Sequence, residues 1–110
     1  MPQKCVPCHS ASPKLTTVEI SKLIEKVPEY TLIEENGIER ISKEYHFKDF
    51  KEALAFTNRL AEICEEENHH PQIILEWAKV TVTWWTHAIE GLHTNDFIMA
   101  LTTDKLQVSN

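Results

Sequence analysis

Apolar residues recur along the chain with two different periods, and the switches between them mark its elements. Ile20, Leu23, Ile24 and Val27 fall at helical spacing behind TTVE (16–19). That tetrapeptide has capping-box form, with Thr16 as N-cap and Glu19 reaching back, and Pro28 closes this first helix near residue 27. In YTLIEENGIERISKEYHF the pattern turns extended, with Asn36-Gly37 between two runs at about 30–35 and 38–46. Both turn residues tolerate positive φ, so the pair predicts a hairpin. Helical spacing returns from Asp49 to Asn68. Phe50, Leu54, Thr57, Ala61 and Cys64 form one stripe, widened by Phe47, Ala53 and Leu60, with Lys51, Glu52, Arg59, Glu62, Glu66 and Glu67 opposite. QIILEW (72–77) and KVTVTWWT (79–86) then predict a strand pair joined by a tight turn near Trp77–Lys79. The second run sets Val80, Val82 and Trp84 against Thr81, Thr83 and Trp85. LHTNDFIMALTTDKL completes the chain as a helix, with Thr94 as its N-cap and Asp96 in its first turn.

The order α-β-β-α-β-β-α predicts an α+β fold: a four-stranded antiparallel sheet with the helices packed on one face. Its other face carries Thr and Trp residues, and an edge strand is left for self-association. Residues 1–14, MPQKCVPCHSASPK, hold three of the five prolines and two of the three cysteines. They predict an irregular N-terminal arm ahead of a single domain over 15–110.

Composition narrows the function classes. Of the 110 residues 42% are hydrophobic and 25% charged, which is ordinary for one globular domain. A net charge of -6 argues against a phosphate-binding surface, so nucleic acid is not expected as a partner. No run approaches the ~20 apolar residues of a membrane span, and MPQKCVPCHS lacks the apolar stretch of a secretory signal. A cytoplasmic location without membrane contact is the expectation. Three cysteines, an odd number, do not suggest a disulfide framework, and two glycines leave no phosphate-cradling loop.

The candidate chemistry centres on EEENHHP (65–71). Adjacent helical residues point in different directions, and Pro71 biases its predecessor away from helical geometry, so His69 and His70 fall where the long helix stops. His87 ends the fourth strand. Three histidines can supply both a general acid and a general base near neutral pH. Glu65, four residues before His69, is expected on the same helical face, orienting or charging that imidazole. Trp77, Trp84 and Trp85 offer surfaces for a flat ligand. Together these features suggest a pocket for a small planar molecule undergoing proton transfer. Plainer readings stand beside this one. A His-His-Pro can simply compensate a helix dipole, alternating Trp can pack a sheet or a subunit interface, and His46 and His93 read as surface or interface residues.

CVPCH (5–9) has the spacing of a haem-attachment motif, which needs an exported chain. Cys5, Cys8 and His9 can alternatively give zinc three ligands, or the segment is an arm with two exposed thiols. A metal site of His69, His70 and His87 is a further alternative, although adjacent histidines rarely bind one ion.

Glu65, the HHP at 69–71, Trp77, His87 and Asp96, with YHFKDF (45–50) upstream, resemble the signature of the pterin-4a-carbinolamine dehydratases over about residues 14–108. The resemblance implies dehydration of 4a-hydroxytetrahydropterin to quinonoid dihydropterin and water, which recycles the pterin cofactor of aromatic amino acid hydroxylases. The pterin is the substrate and no further cofactor is required. The resemblance implies His70 and His87 as the acid–base pair, with His69 contributing binding or electrostatics. Glu65, Asn68, Trp85, Thr86, Ala88, Asp96 and Tyr30 join these histidines as substrate-binding residues. Three positions depart from the family pattern: Asn68 where Asp is frequent, Tyr30 where a Trp is common, and Trp85 where a small residue is often found. A homodimer or homotetramer is implied. The alternative function is a non-catalytic protein-binding module, serving dimerisation or transcription, on the same fold.

Overall fold

The computed structural model describes residues 13–108. Helix α1 (Thr17–Leu23) opens on the expected box: Thr16 Oγ1 accepts from the Glu19 N–H at 3.2 Å, and the Glu19 carboxylate accepts from the Thr16 N–H at 2.8 Å. A 3-10 turn over Ile24–Lys26 ends it ahead of Pro28. The hairpin of β1 (Thr31–Glu35) and β2 (Ile38–His46) turns through Asn36 and Gly37, at φ 54° and 77°. Helix α2 (Phe50–Glu67) starts at Asp49, whose carboxylate accepts from the Glu52 N–H at 2.9 Å. Strands β3 (Gln72–Glu76) and β4 (Lys79–Trp84) form the second hairpin, and α3 (Thr94–Val108) follows.

The sheet order is β1-β2-β4-β3, antiparallel throughout, so the hairpins join through β2 and β4 and leave β1 and β3 as edges. The α+β expectation holds. Ile41 and Tyr45 of β2 and Val80, Val82 and Trp84 of β4 are buried on the helix side, against Ala53, Phe56, Leu60 and Cys64 of α2 and Met99 and Ala100 of α3. Burial of these side chains is the main stabilising term. Among the described residues no helix is long and apolar enough to cross a membrane.

Two expectations are corrected here. Helix α2 turns the stripe through Ala53, Phe56, Leu60 and Cys64 to the sheet, leaving Phe50 43% and Leu54 39% exposed. The Phe56 ring decides this, lying 5.1 Å from Tyr45 and 5.0 Å from Phe47 between ring centroids. The cap of α3 is His93 rather than Thr94. Its Nδ1 accepts from the Asn95 N–H at 3.1 Å, and its own N–H donates to Asp96 at 3.0 Å, so an imidazole caps the second helical residue while the third side chain caps His93 in return.

Candidate functional site

Asn68 shapes the start of the site. It takes a left-handed conformation, φ 52° and ψ 44°, and so ends α2, while the His69 N–H closes onto the Cys64 carbonyl at 3.1 Å. The two histidines that follow are thereby taken off the helix. His69 turns inward: it is 8% exposed, and its ring stacks on Trp84 at 5.8 Å with a 14° tilt. Its Nε2 donates to Asp96 Oδ1 at 2.7 Å. His70 turns outward and hydrogen-bonds through Nε2 to Glu65. Glu65 therefore partners His70 and not His69, because the left-handed residue breaks the helical projection on which the His69 expectation rested.

The Asp96 carboxylate is fully buried and fully used. Oδ1 serves His69, while Oδ2 accepts from Thr86 Oγ1 at 2.8 Å and from the His93 N–H at 3.0 Å. Only an acceptor with several lone pairs can serve three donors at once. Thr86 is itself buried, and its backbone is paired with Gly91, with the Thr86 N–H 2.8 Å from the Gly91 carbonyl. This bridge pinches off residues 87–90, in which His87–Ile89 form a 3-10 turn and Glu90 sits at φ 52°. His87 and Ala88 are exposed on that turn. The His87 ring lies 4.5 Å from Trp85, tilted by 43°.

One carboxylate thus anchors two segments. His70 follows the anchored His69, and His87 follows the anchored Thr86. Both are exposed side chains, each one residue beyond a buried, hydrogen-bonded neighbour. Asn68 is exposed at the rim and Trp85 is half-buried beside His87.

Tyr30 does not join this group. It is 3% exposed, and its hydroxyl lies 2.7 Å from that of Tyr45 and accepts from Trp84 Nε1 at 3.3 Å. Tyr45 donates onward to Asp104 at 2.7 Å. Tyr30 is therefore corrected from a ligand wall to a core residue behind Trp84, buried with its hydroxyl engaged in that interior chain. Asp96 likewise supports the site from inside rather than from its surface.

Two contributors carried no signal in the sequence. His93 caps the helix that presents Asp96, and only the observed cap geometry reveals this. Arg40, 8% exposed, stacks its guanidinium 3.9 Å over the Trp85 ring. Its proximity follows from the β2–β4 register, where Ile41 pairs with Trp84 and the next step brings position 40 to 85. Trp77, by contrast, is 71% exposed at the tip of the β3–β4 turn. A groove of about 460 Å³ on the open sheet face, lined by Thr31, Ile33, Ser42, His46 and Thr81 among others, includes none of His69, His70 or His87. Among the described residues no group of three or more His, Cys, Asp or Glu side chains is placed to hold a metal. The Cys5, Cys8 and His9 possibility lies outside the described residues.

Solved structures resemble this fold. A transcriptional coactivator/pterin dehydratase from Brucella melitensis matches with a TM-score of 0.79 and 28% identity, covering 86% of this chain and 98% of its own. A pterin dehydratase-like protein described as a RuBisCO assembly factor in the alpha-carboxysome matches with a TM-score of 0.60 and 24% identity, covering 71% and 88%, and shares the fold. The model of the pterin 4 alpha carbinolamine dehydratase family matches residues 13–106. The chain belongs to that family, and its activity at the level of the family is that of a dehydratase, a lyase acting on a pterin carbinolamine.

Proposed function

We propose that the protein dehydrates 4a-hydroxytetrahydropterin to quinonoid dihydropterin and water, with His70 and His87 as the acid–base pair. In this step the C4a–O bond breaks as the hydroxyl is protonated and leaves as water. N5 gives up its proton, and its electron pair forms the C4a=N5 double bond. One protonated and one neutral imidazole meet both needs, and no further cofactor enters the balance. The observation that carries the reading is the shared anchor: Asp96 bonds to both His69 and Thr86, and so fixes the two segments from which His70 and His87 emerge. Glu65 steadies His70, while Asn68, Trp85 and Ala88 form the rim.

Stopped-flow dehydration of 4a-hydroxytetrahydropterin tests the reading. His70→Ala and His87→Ala are each expected to lose ~10²–10⁴-fold in rate. Acceleration that survives both substitutions moves the chemistry off these residues.

Self-association as a dimer or tetramer belongs to the same proposal, supported by the two sheet edges with Leu32 42% and Ile74 46% exposed. A single sedimenting species of 12.7 kDa at micromolar concentration overturns it.

A second reading, a protein-binding module, draws support from Phe50 and Leu54, exposed one helical turn apart on α2. The Brucella melitensis relative, a transcriptional coactivator/pterin dehydratase, points the same way. A cellular effect that persists in the His70→Ala/His87→Ala double variant favours this reading over catalysis.

A further inference from the structure

Arg40 is 8% exposed, its Nε is buried without a hydrogen-bond partner among the described residues, and its Nη2 reaches only the Glu35 carbonyl at 3.5 Å. Burying a guanidinium is costly unless something answers its charge. Here the answer is an aromatic face, with the guanidinium carbon 3.9 Å from the centroid of the Trp85 ring. Face-to-face packing of this kind suits a planar, weakly hydrated guanidinium better than a compact, strongly hydrated ammonium. Trp85 in turn lies 4.5 Å from the His87 ring. His87 is exposed on a three-residue 3-10 turn, where an unsupported imidazole would exchange among rotamers.

We propose that Arg40 is a positioning residue for His87: from β2 it clamps the Trp85 indole, and the indole holds the His87 imidazole in a fixed plane. The inference rests on the reading of His87 as one of the acid–base pair, because only for such a group is ring orientation worth rate. It also accounts for a bulky aromatic at position 85. A small side chain there would leave the Arg40 guanidinium uncovered and His87 without a wall, so Arg40 and Trp85 act as a unit.

The test is proton NMR of the histidine and tryptophan rings, run beside stopped-flow dehydration. In the unmodified protein, cross-relaxation between the His87 ring and the Trp85 indole is expected, with the His87 ring protons shifted upfield by the indole. Arg40→Met keeps the stem and removes the planar cation. It is expected to weaken both signals and lower kcat by ~10-fold, inside the ~10²-fold that a misplacement of 1 Å costs. The His69 resonances, set by Trp84 and Asp96, stay in place and report the fold. Arg40→Lys, which keeps charge without the plane, behaves like Arg40→Met, whereas Trp85→Phe retains part of the upfield shift.

Absence of the His87–Trp85 cross-relaxation in the unmodified protein overturns the clamp, with no variant needed. So does a His87 shift left unmoved by Arg40→Met or Arg40→Lys. The two proposals separate cleanly. An intact clamp in a protein that does not accelerate dehydration sinks the dehydratase reading alone, and normal dehydration with an unmoved His87 sinks the clamp alone.

Discussion

His69 and Asp96, 27 positions apart in the chain, share a 2.7 Å hydrogen bond in the buried interior, and this contact ties the end of α2 to the first turn of α3. Because the other Asp96 oxygen holds Thr86, the same carboxylate also fixes the exit of β4. The N-terminus of α3 is a favourable place for that charge, and the His93 N–H adds a third donor. The position needs both a charge and its full set of lone pairs, so it constrains folding and function together.

Asp96→Ala is expected to cost ~3–5 kcal/mol, since it strands His69 and Thr86 as unpaired buried groups. Asp96→Asn keeps the volume but turns one acceptor into a donor that faces other donors, and it should lose a smaller share. Urea midpoints of the three proteins measure this. A loss under ~1 kcal/mol for Asp96→Ala would mean that the segments are held by something else.

Glu65 lies at the opposite extreme. Its side chain is 77% exposed and its partner His70 is 50% exposed, so the pair adds little to stability. Glu65→Gln should change the unfolding free energy by no more than ~0.5 kcal/mol. Its dehydration rate should nevertheless fall by up to ~10-fold, because His70 loses the group that orients it. An unchanged rate would remove Glu65 from the site.

The difference between these two acids shows how far the sequence could be read. The Asn36-Gly37 hairpin, the Thr16–Glu19 box and the alternation of Val80, Val82 and Trp84 are local patterns, and each stands where its spacing placed it. The histidines at the end of α2 were legible for the same reason. Their partners were not. Extending helical geometry past Asn68 assigns Glu65 to His69, but one left-handed residue hands it to His70. The stacking of Arg40 on Trp85 depends on how β2 registers against β4, a non-local pairing that neither strand announces. The buried stripe of α2 departs from the expected one because Phe50 and Leu54 are as apolar as Phe56, and only the rings of Tyr45 and Phe47 choose between them.

Asn68 gives a direct handle on this geometry. At φ 52° an Asn is tolerated, a Gly is free of strain, and a β-branched residue is not tolerated. Asn68→Gly should hold or slightly raise the melting temperature, whereas Asn68→Val should cost ~1–2 kcal/mol. The valine variant should also lose dehydration rate beyond what its stability explains, since His69 and His70 both hang from this residue. Equal melting temperatures for the Gly and Val variants would show that the left-handed conformation does not persist in solution.

Alkaline pH probes the far side of the site. The chain has two tyrosines, Tyr30 and Tyr45, both buried, and their hydroxyls run from Trp84 Nε1 to Asp104. Burial pushes both phenols well above their ordinary value of 10.0, and for Tyr45 the neighbouring Tyr30 and Asp104 push the same way. Lys43 adds to this: burial opposes its charge, but hydrogen bonds to Asp104 and Glu29 outweigh burial and hold its pKa above 10.5. A group raised on folding stabilises fully below its unfolded pKa, and the contribution is lost as pH climbs beyond it. These groups therefore add no slope to stability at neutral pH, and above about pH 10 stability should fall by ~1.4 kcal/mol per pH unit for each tyrosine. Tyrosinate absorbance should be missing from the folded protein in that range and appear only with unfolding, in one cooperative step. Tyr45→Phe should flatten the alkaline fall while lowering stability at neutral pH by ~1 kcal/mol for the lost hydrogen bonds. Tyrosinate appearing near pH 10 with the fold intact would mean that a phenol reaches solvent, and Tyr30 would return as a candidate for the ligand wall.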